Sequence, residues 1–206
     1  CALRVEGLCR GDRVRDVRFE LFRGEILGFA GMMGSGRTEL MRLIFAADRK
    51  DSGEIYLHDR KTPERLRSPA DAVRAGMALL TEDRKGQGLI LSHTVRENFG
   101  LPNLDRYLRR FFLDQELERD ELTRYIGSLK IKVASPEYRV ANLSGGNQQK
   151  ALVARWMERM PRVLILDEPA SGLDPAQRVE IRDLVRELAQ GDTTVLLSTH
   201  VLPEVE

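Results

Sequence analysis

A glycine-rich loop constrains the fold of this chain more than any other stretch. The loop spans residues 31–38 (GMMGSGRT), follows an apolar run at 25–30 and precedes a helical pattern at 39–45. A strand, a tight turn and a helix in this order form the context in which a loop binds phosphate. The backbone can bend sharply and approach a ligand at the glycines of the loop: Gly31, Gly34 and Gly36. We therefore predict an α/β fold in which the amide groups of Gly34 through Thr38 converge on a phosphate at the positive end of a helix.

One residue departs from the usual phosphate-binding pattern, which has lysine before the threonine. This chain has Arg37, which keeps the charge but carries it on a planar, bulkier fork that does not act as a point charge. The next residue, Thr38, has a hydroxyl placed to ligate Mg²⁺. Glycine-rich turns between strand and helix also occur as plain structure, so the loop alone leaves both interpretations open.

The composition limits the class of protein. Of 206 residues, 33 are basic and 32 acidic, so the net charge is +1 and no basic field points to nucleic acid. Two cysteines, Cys1 and Cys9, are too few for a disulfide framework or a zinc site. No apolar run approaches the roughly 18 residues of a membrane span, and no signal peptide precedes the first strand. We expect a cytoplasmic chain that meets a membrane only through a partner, and the missing initial Met suggests a piece of a longer protein.

The first third of the chain shows strand patterns. Alternating apolar and polar residues predict strands at 2–6, 17–21 and 54–58, with a hairpin turn at 11–12. An apolar run predicts a short buried strand at 77–80. The polar segment that follows this strand lies where α/β sheets place ligands, at a strand's carboxyl end.

Helical patterns dominate from about residue 94 to 140, and strand signals vanish there. This stretch predicts a helical insert on an α/β core. We expect its aromatic residues to form the core of the insert rather than a platform that stacks on bases: Phe99, Tyr107, Phe111, Phe112 and Tyr125.

A second glycine-containing segment opens a helix in the second half. Residues 143–150 (LSGGNQQK) lead into an amphipathic pattern that continues through Trp156. Ser144 can cap this helix, while Gly145 and Gly146 leave its amide end open to an anion.

Two carboxylates, Asp167 and Glu168, follow a continuous apolar run at 163–166, which is typical of a central parallel strand. Carboxylates at the end of a buried strand are costly unless they meet a cation or a polar substrate. Another buried strand, predicted at 194–197, ends close to His200.

These motifs together resemble the ATPases of the ATP-binding-cassette (ABC) family. The loop at 31–38 looks like a Walker A motif, the segment 163–168 like a Walker B motif with its catalytic carboxylate, and 143–149 like the signature motif. Residues 171–174 resemble the D-loop, and His200 resembles the switch histidine. Their order and spacing match, so the resemblance covers practically the whole chain.

The resemblance implies a P-loop NTPase core of the ABC type, an α/β fold with a mainly parallel sheet and an antiparallel β subdomain. It implies one nucleotide-binding domain over 1–206, with the core at 1–93 and 141–206, a helical subdomain at about 94–140, and a truncated C-terminus.

Part of the chain is similar to a narrower group, the second nucleotide-binding domain of carbohydrate-importer ATPases of the ribose, galactose and xylose type. GRTEL at 36–40, TEDRKGQGL at 81–89 and LSGGNQQKALVARW at 143–156 carry this likeness. After residue 170 the sequence looks more like exporter-type ABC ATPases.

The resemblance implies ATP and Mg²⁺ as cofactors and assigns roles to individual residues. Glu168 would polarise the attacking water and His200 would contact the γ-phosphate. Three residues would hold the metal: Thr38, Glu82 and Asp167. The nucleotide would be bound by Gly31, Gly34, Ser35, Gly36, Arg37, Thr38, Glu39, Ser144, Gly145, Gly146 and Asp174.

The implied partners are a second nucleotide-binding domain in a head-to-tail dimer and transmembrane permease subunits, with no nucleic acid. The permease would hold the domain on the inner face of the cell membrane. The domain would hydrolyse ATP to power transport, and the import of a carbohydrate is the first expectation.

Two departures argue for a slow site, namely Arg37 and Glu82, which stands where a glutamine is usual. The stretch 10–15 also lacks the aromatic residue that commonly stacks on adenine. These departures leave a regulatory half with degenerate hydrolysis as one alternative, and the stretch after residue 170 leaves an exporter-type ABC ATPase as another. An ABC ATPase of DNA repair or of the ribosome is disfavoured, because neither long coiled-coil inserts nor a basic stripe is present.

Overall fold

The computed structural model describes residues 1–191 and 193–200. Two compact units are present. The first comprises Cys1–Glu82, Pro161–Pro169 and the described residues from Val185 on; the second comprises Asp83–Met160 and Ala170–Leu184. The domain boundaries drawn from the sequence stay a prediction.

The first unit holds most of the strands. In chain order its elements are β1 (Leu3–Arg10), β2 (Val14–Leu21), β3 (Ile26–Ala30), α1 (Arg37–Ile44), β4 (Ser52–Leu57), α2 (Pro69–Arg74), β5 (Met77–Leu80), β8 (Val163–Asp167) and β9 (Thr194–Thr199). The second unit contains α3 (Val95–Gly100), α4 (Leu104–Tyr107), β6 (Leu108–Arg109), β7 (Phe112–Leu113), α5 (Gln115–Ser128) and α6 (Gly145–Met157), and α7 (Pro175–Ala189) has residues in both units.

A parallel sheet in the first unit has the strand order β3-β9-β8-β5. Its central strands β8 and β9 are buried along their whole length, as continuous apolar runs require. In the register of the sheet, Asp167 pairs with Ser198 and Ala30 pairs with Thr199. The residues that follow β3, β8 and β9 therefore emerge at the same edge.

An antiparallel sheet with the order β2-β1-β4 completes the strands of this unit. The two strands predicted from alternating apolar and polar residues, β1 and β2, form the first hairpin as expected, and its turn lies at Gly11. Both strands are longer than the sequence indicated, and β1 continues past Gly7 through register shifts near Leu8.

The second unit is mainly helical around a small aromatic core. Phe99 and Tyr107 are buried, and the ring of Tyr125 lies 5.5 Å from that of Phe99. The expectation that Phe111 and Phe112 join this core is wrong, because their side chains are 90% and 79% exposed. They lie in a hairpin made of the two-residue strands β6 and β7, which the sequence pattern did not indicate. So short a hairpin leaves too little backbone to fold its rings back onto the helices.

Among the described residues, no helix combines the length and the apolar character that crossing a bilayer demands.

Candidate functional site

The loop after β3 has a backbone conformation that favours glycine at two positions. Gly34 and Gly36 have φ angles of +79° and +87°, in the left-handed region. A Cβ on Gly36 would overlap the carbonyl oxygen of Arg13, so a side chain at this position would also cause a steric clash. Gly36 is the N-cap of α1 and makes no side-chain cap bond, so the amides of the first turn of α1 face an uncapped end. This is the geometry of an anion site at a helix N-terminus.

Thr38 and Asp167 meet at the carboxyl edge of the parallel sheet. The Thr38 hydroxyl donates to Oδ1 of Asp167 at 3.2 Å, and Asp167 is only 1% exposed. Burial is the main cause that raises the pKa of Asp167, and the charges of Glu82 and Glu168 add to it, while the Thr38 hydrogen bond lowers it. The net pKa is about 6. A buried carboxylate whose charged form is disfavoured in this way is stabilised by a nearby cation.

The residues present fit a magnesium ion rather than a metal held wholly by protein. In the described part of the chain, no group of three or more His, Cys, Asp or Glu side chains is arranged to hold a metal. Mg²⁺ commonly takes one or two protein carboxylates and completes its shell with waters and phosphate oxygens. Thr38 and Asp167 beside a phosphate-type loop satisfy that requirement, and Glu82 is exposed at the end of β5.

Asp167 should make the metal-free chain less stable as the pH rises. Its folded-state pKa of about 6 lies above the ordinary value of 3.8, so between these values the folded state binds more protons than the unfolded state. The stabilisation is complete below about pH 4 and is lost as the pH rises through about 6. As the pH is raised from 4 to 7.5, we expect the stability of Asp167→Asn to increase by about 2.4 kcal/mol relative to wild type, from roughly 1.4 kcal/mol per pKa unit. Urea unfolding without divalent metal measures this difference; a gap that stays constant with pH would contradict it.

Arg37 and Glu168 form a buried ion pair. Nη2 of Arg37 lies 3.0 Å from Oε1 of Glu168, and the two side chains are 11% and 7% exposed. Nη1 of Arg37 donates to the carbonyl oxygen of Thr199. The sequence predicted Arg37 as a phosphate ligand but gave no sign of these partners, which follow β8 and lie at the end of β9.

Glu168 also contacts the predicted switch histidine. Nδ1 of His200 lies 2.7 Å from Oε2 of Glu168, and the backbone N–H of His200 points to the same oxygen at 3.3 Å. The backbone of Glu168 has φ +47°, a strained conformation for a residue with a side chain, and its N–H donates to Ser198. Strained backbone of this kind clusters at functional sites.

Glu39 lies in the first turn of α1 and pairs with Arg13 at 3.4 Å. Ser35 lies within the loop, where its hydroxyl is 3.1 Å from the position that a Cβ on Gly31 would occupy. Both predicted nucleotide contacts thus belong to the loop or to the helix it opens.

The remaining predicted residues lie in the second unit. Ser144 caps α6 as expected, accepting from the backbone N–H of Asn147 at 3.4 Å. Asp174 caps α7, accepting from the backbone N–H of Gln177 at 2.9 Å. A Cβ on Gly146 would lie 2.9 Å from the side chain of Gln177, so a larger residue here would displace that side chain.

Sequence reasoning missed one residue of this second group. Nη2 of Arg84 lies 2.9 Å from where a Cβ on Gly145 would be, and its Nη1 donates to the carbonyl oxygen of Ser171 at 2.8 Å. The segment 81–89 was conspicuous only for its polarity and its likeness to the importers, neither of which indicates what its arginine contacts.

Comparison with known proteins gives the chain its relatives. It is 46% identical over 203 residues to the ribose import ATP-binding protein RbsA of Geobacillus kaustophilus, covering 98% of this chain and 41% of that protein. It is 48% identical to the ribose import ATP-binding protein RbsA 3 of Rubrobacter xylanophilus, covering 98% of this chain and 40% of the relative. The chain thus spans about two fifths of the length of these curated relatives.

The fold has close solved counterparts. A dimeric, post-hydrolysis ATP-binding cassette bound to ADP and Pi superposes with a TM-score of 0.81 at 22% identity, covering 98% of this chain and 90% of that one. The predicted P-loop NTPase fold of the ABC type, α/β with a mainly parallel sheet, is thereby confirmed. The sequence pattern described as "ABC transporter" matches residues 14–171. The chain therefore belongs to the ABC transporter family.

Proposed function

We propose that this chain binds and hydrolyses ATP to power the import of a carbohydrate across a membrane. One observation carries the proposal: the glycine-built loop, the paired Thr38 and Asp167, and the buried Glu168 with His200 converge at one edge of the parallel sheet. Phosphate, metal and water chemistry need these groups side by side.

The first unit would supply the nucleotide site. The loop amides and Arg37 would bind the phosphates, and Thr38 and Asp167 would hold Mg²⁺, with Glu82 nearby. The bound ion would offset the negative charge of the phosphates. Glu168 would accept hydrogen bonds from the attacking water, and His200, oriented by its contact with Glu168, would contact the γ-phosphate.

The second unit would supply contacts to ATP held by another domain. Ser144, Gly145 and Gly146 open the helix α6, whose amide end can meet the γ-phosphate of a partner domain in a head-to-tail dimer. Asp174 is the last residue of the D-loop segment, caps α7 and would face the same interface. Permease subunits would place the pair of domains on the inner face of the membrane.

The relatives favour a carbohydrate as the transported molecule. Their names specify ribose import, and the similarity runs over 98% of this chain, so it includes the stretch after residue 170 that looked exporter-like. An exporter stays the alternative, which the membrane subunit that co-purifies with the chain would decide.

A second candidate is a regulatory half that binds ATP and hydrolyses it weakly. The ion pair between Arg37 and Glu168 favours this candidate, because it occupies both a phosphate ligand and the proposed base. The two candidates share the binding step and differ in turnover.

Calorimetric titration of the folded chain with Mg·ATP tests the binding step. We expect a dissociation constant between about 1 μM and 1 mM, and about tenfold weaker binding for Thr38→Ala, which removes a metal ligand. Thr123→Ala makes the same chemical change on α5, where the hydroxyl bonds only within its own helix, and should leave affinity unchanged. A folded chain that binds no Mg·ATP would refute the proposed function.

A further inference from the structure

We propose that Arg84 is a positioning residue that holds the Ser144–Gly146 segment and the Ser171–Asp174 turn in one fixed arrangement. The inference rests on the proposed function in so far as both segments are to meet the nucleotide of a partner domain. It is carried by contacts inside the second unit.

The loop that carries Arg84 is built to be rigid. Residues Arg84–Gly88 form a single turn of π-helix, closed by a bond from the N–H of Leu89 to the carbonyl of Arg84 at 2.8 Å. Asp83 caps this turn by accepting from the backbone N–H of Gly86 at 2.9 Å. π-turns are rare and recur at functional sites, where they place one side chain in a position that an α-turn does not reach.

The same loop is hydrogen-bonded to α6, the helix that begins in the signature motif. The guanidinium of Arg155, on α6, donates to the carbonyl oxygen of Gly88. Arg155 is half-buried, and desolvation lowers the pKa of its guanidinium, so this bond satisfies a donor that water reaches poorly. This bond holds the last residue of the π-turn, Gly88, against α6.

The guanidinium of Arg84 fills a slot between two glycines. Its Nη2 lies 2.9 Å from the Cβ position of Gly145 and 3.7 Å from that of Gly172, which has φ +67°. Its Nη1 donates to the Ser171 carbonyl. Any larger residue at Gly145 would displace the arginine, so the absence of a side chain there makes room for the fork.

The guanidinium thus contacts two segments that are far apart in the sequence. Ser144 and Gly145 begin α6, and Ser171 and Gly172 precede α7. A planar guanidinium can fill the slot and bond the carbonyl at once, whereas an ammonium offers a compact charge without that shape. The arginine therefore adds a bonded link between two segments that also pack directly on each other at Gly146 and Gln177.

Hydrogen exchange in the complete chain tests the positioning directly. In Arg84→Gln we expect the amides of residues 144–147 and 171–174 to exchange about tenfold faster, while those of α5 keep their rates. Lys85→Gln, which removes a neighbouring charge from the same loop, should change neither segment. Equal acceleration throughout the second unit, or none at 144–147 and 171–174, would overturn the inference.

Kinetics then separate the inference from the proposed function. With a partner domain present, we expect Arg84→Gln to lower kcat for ATP hydrolysis about tenfold or more, with KM for ATP within about twofold. Arg84→Lys should not rescue kcat, because the fork and not the charge does the positioning; full rescue would overturn the inference. If wild type itself shows no hydrolysis, the proposed function fails while the exchange result still decides the role of Arg84.

Discussion

Glu168→Gln should abolish measurable ATP hydrolysis while leaving ATP bound. The substitution keeps the size and removes the carboxylate that would accept a proton from water, and general-base catalysis contributes about 10²–10⁴-fold. Because Thr38, Asp167 and the glycine loop are untouched, Mg·ATP affinity should stay within about threefold of wild type. Hydrolysis by the chain with its partner domain, measured by phosphate release, gives the rate, and calorimetry gives the affinity.

Glu187→Gln is the matched control, since this glutamate is exposed on α7 and has no proposed role. Its rate should equal that of wild type. A Glu168→Gln chain that retains more than about a third of wild-type turnover would remove Glu168 from the catalytic role, given the size of the general-base effect. A wild-type chain that binds ATP but does not turn it over would favour the regulatory candidate instead.

Local patterns in the sequence predicted the sheet well. The continuous run at 163–166 appears as the buried strand β8, and the cap of α6 is Ser144, as the sequence indicated. Such features depend on neighbours in the chain, which is why periodicity and capping rules find them.

Contacts between segments far apart in sequence were beyond those rules. The partner of Arg37 is 131 positions away at Glu168, and Arg84 bonds a carbonyl 87 positions away. The arginine at position 37 predicts a cation near phosphate, but it does not predict which carboxylate that cation pairs with. Phe111 and Phe112 failed for a related reason, since an apolar residue predicts burial only if an element packs over it.

Arg37→Met should destabilise the fold by about 3–5 kcal/mol, because it leaves Glu168 buried without its counter-ion. Methionine keeps most of the apolar stem, so lost packing contributes little. His200 still contacts Glu168 in this variant, which places the expected loss at the lower end of that range. Urea denaturation followed by circular dichroism measures the loss.

The double variant Arg37→Met with Glu168→Gln separates a lost pair from an unpaired charge. With both charges removed, most of the stability should return, since neutral replacement of a buried pair is often harmless. The coupling between the two sites should reach about 2 kcal/mol or more. Arg13→Met is the control, because its pair with Glu39 is largely exposed and should contribute less than about 1 kcal/mol.

Arg37→Lys shows why an arginine can stand at this position. One amino group of the fork meets the Glu168 carboxylate while the other meets the Thr199 carbonyl, on the strand next to β8. A single ammonium on a flexible stem cannot hold both partners in that fixed geometry. Lysine should therefore keep the charge balance but lose about 1 kcal/mol, the usual contribution of one hydrogen bond. Equal stability of wild type, Arg37→Met and Arg37→Lys would mean that the pair does not form in solution.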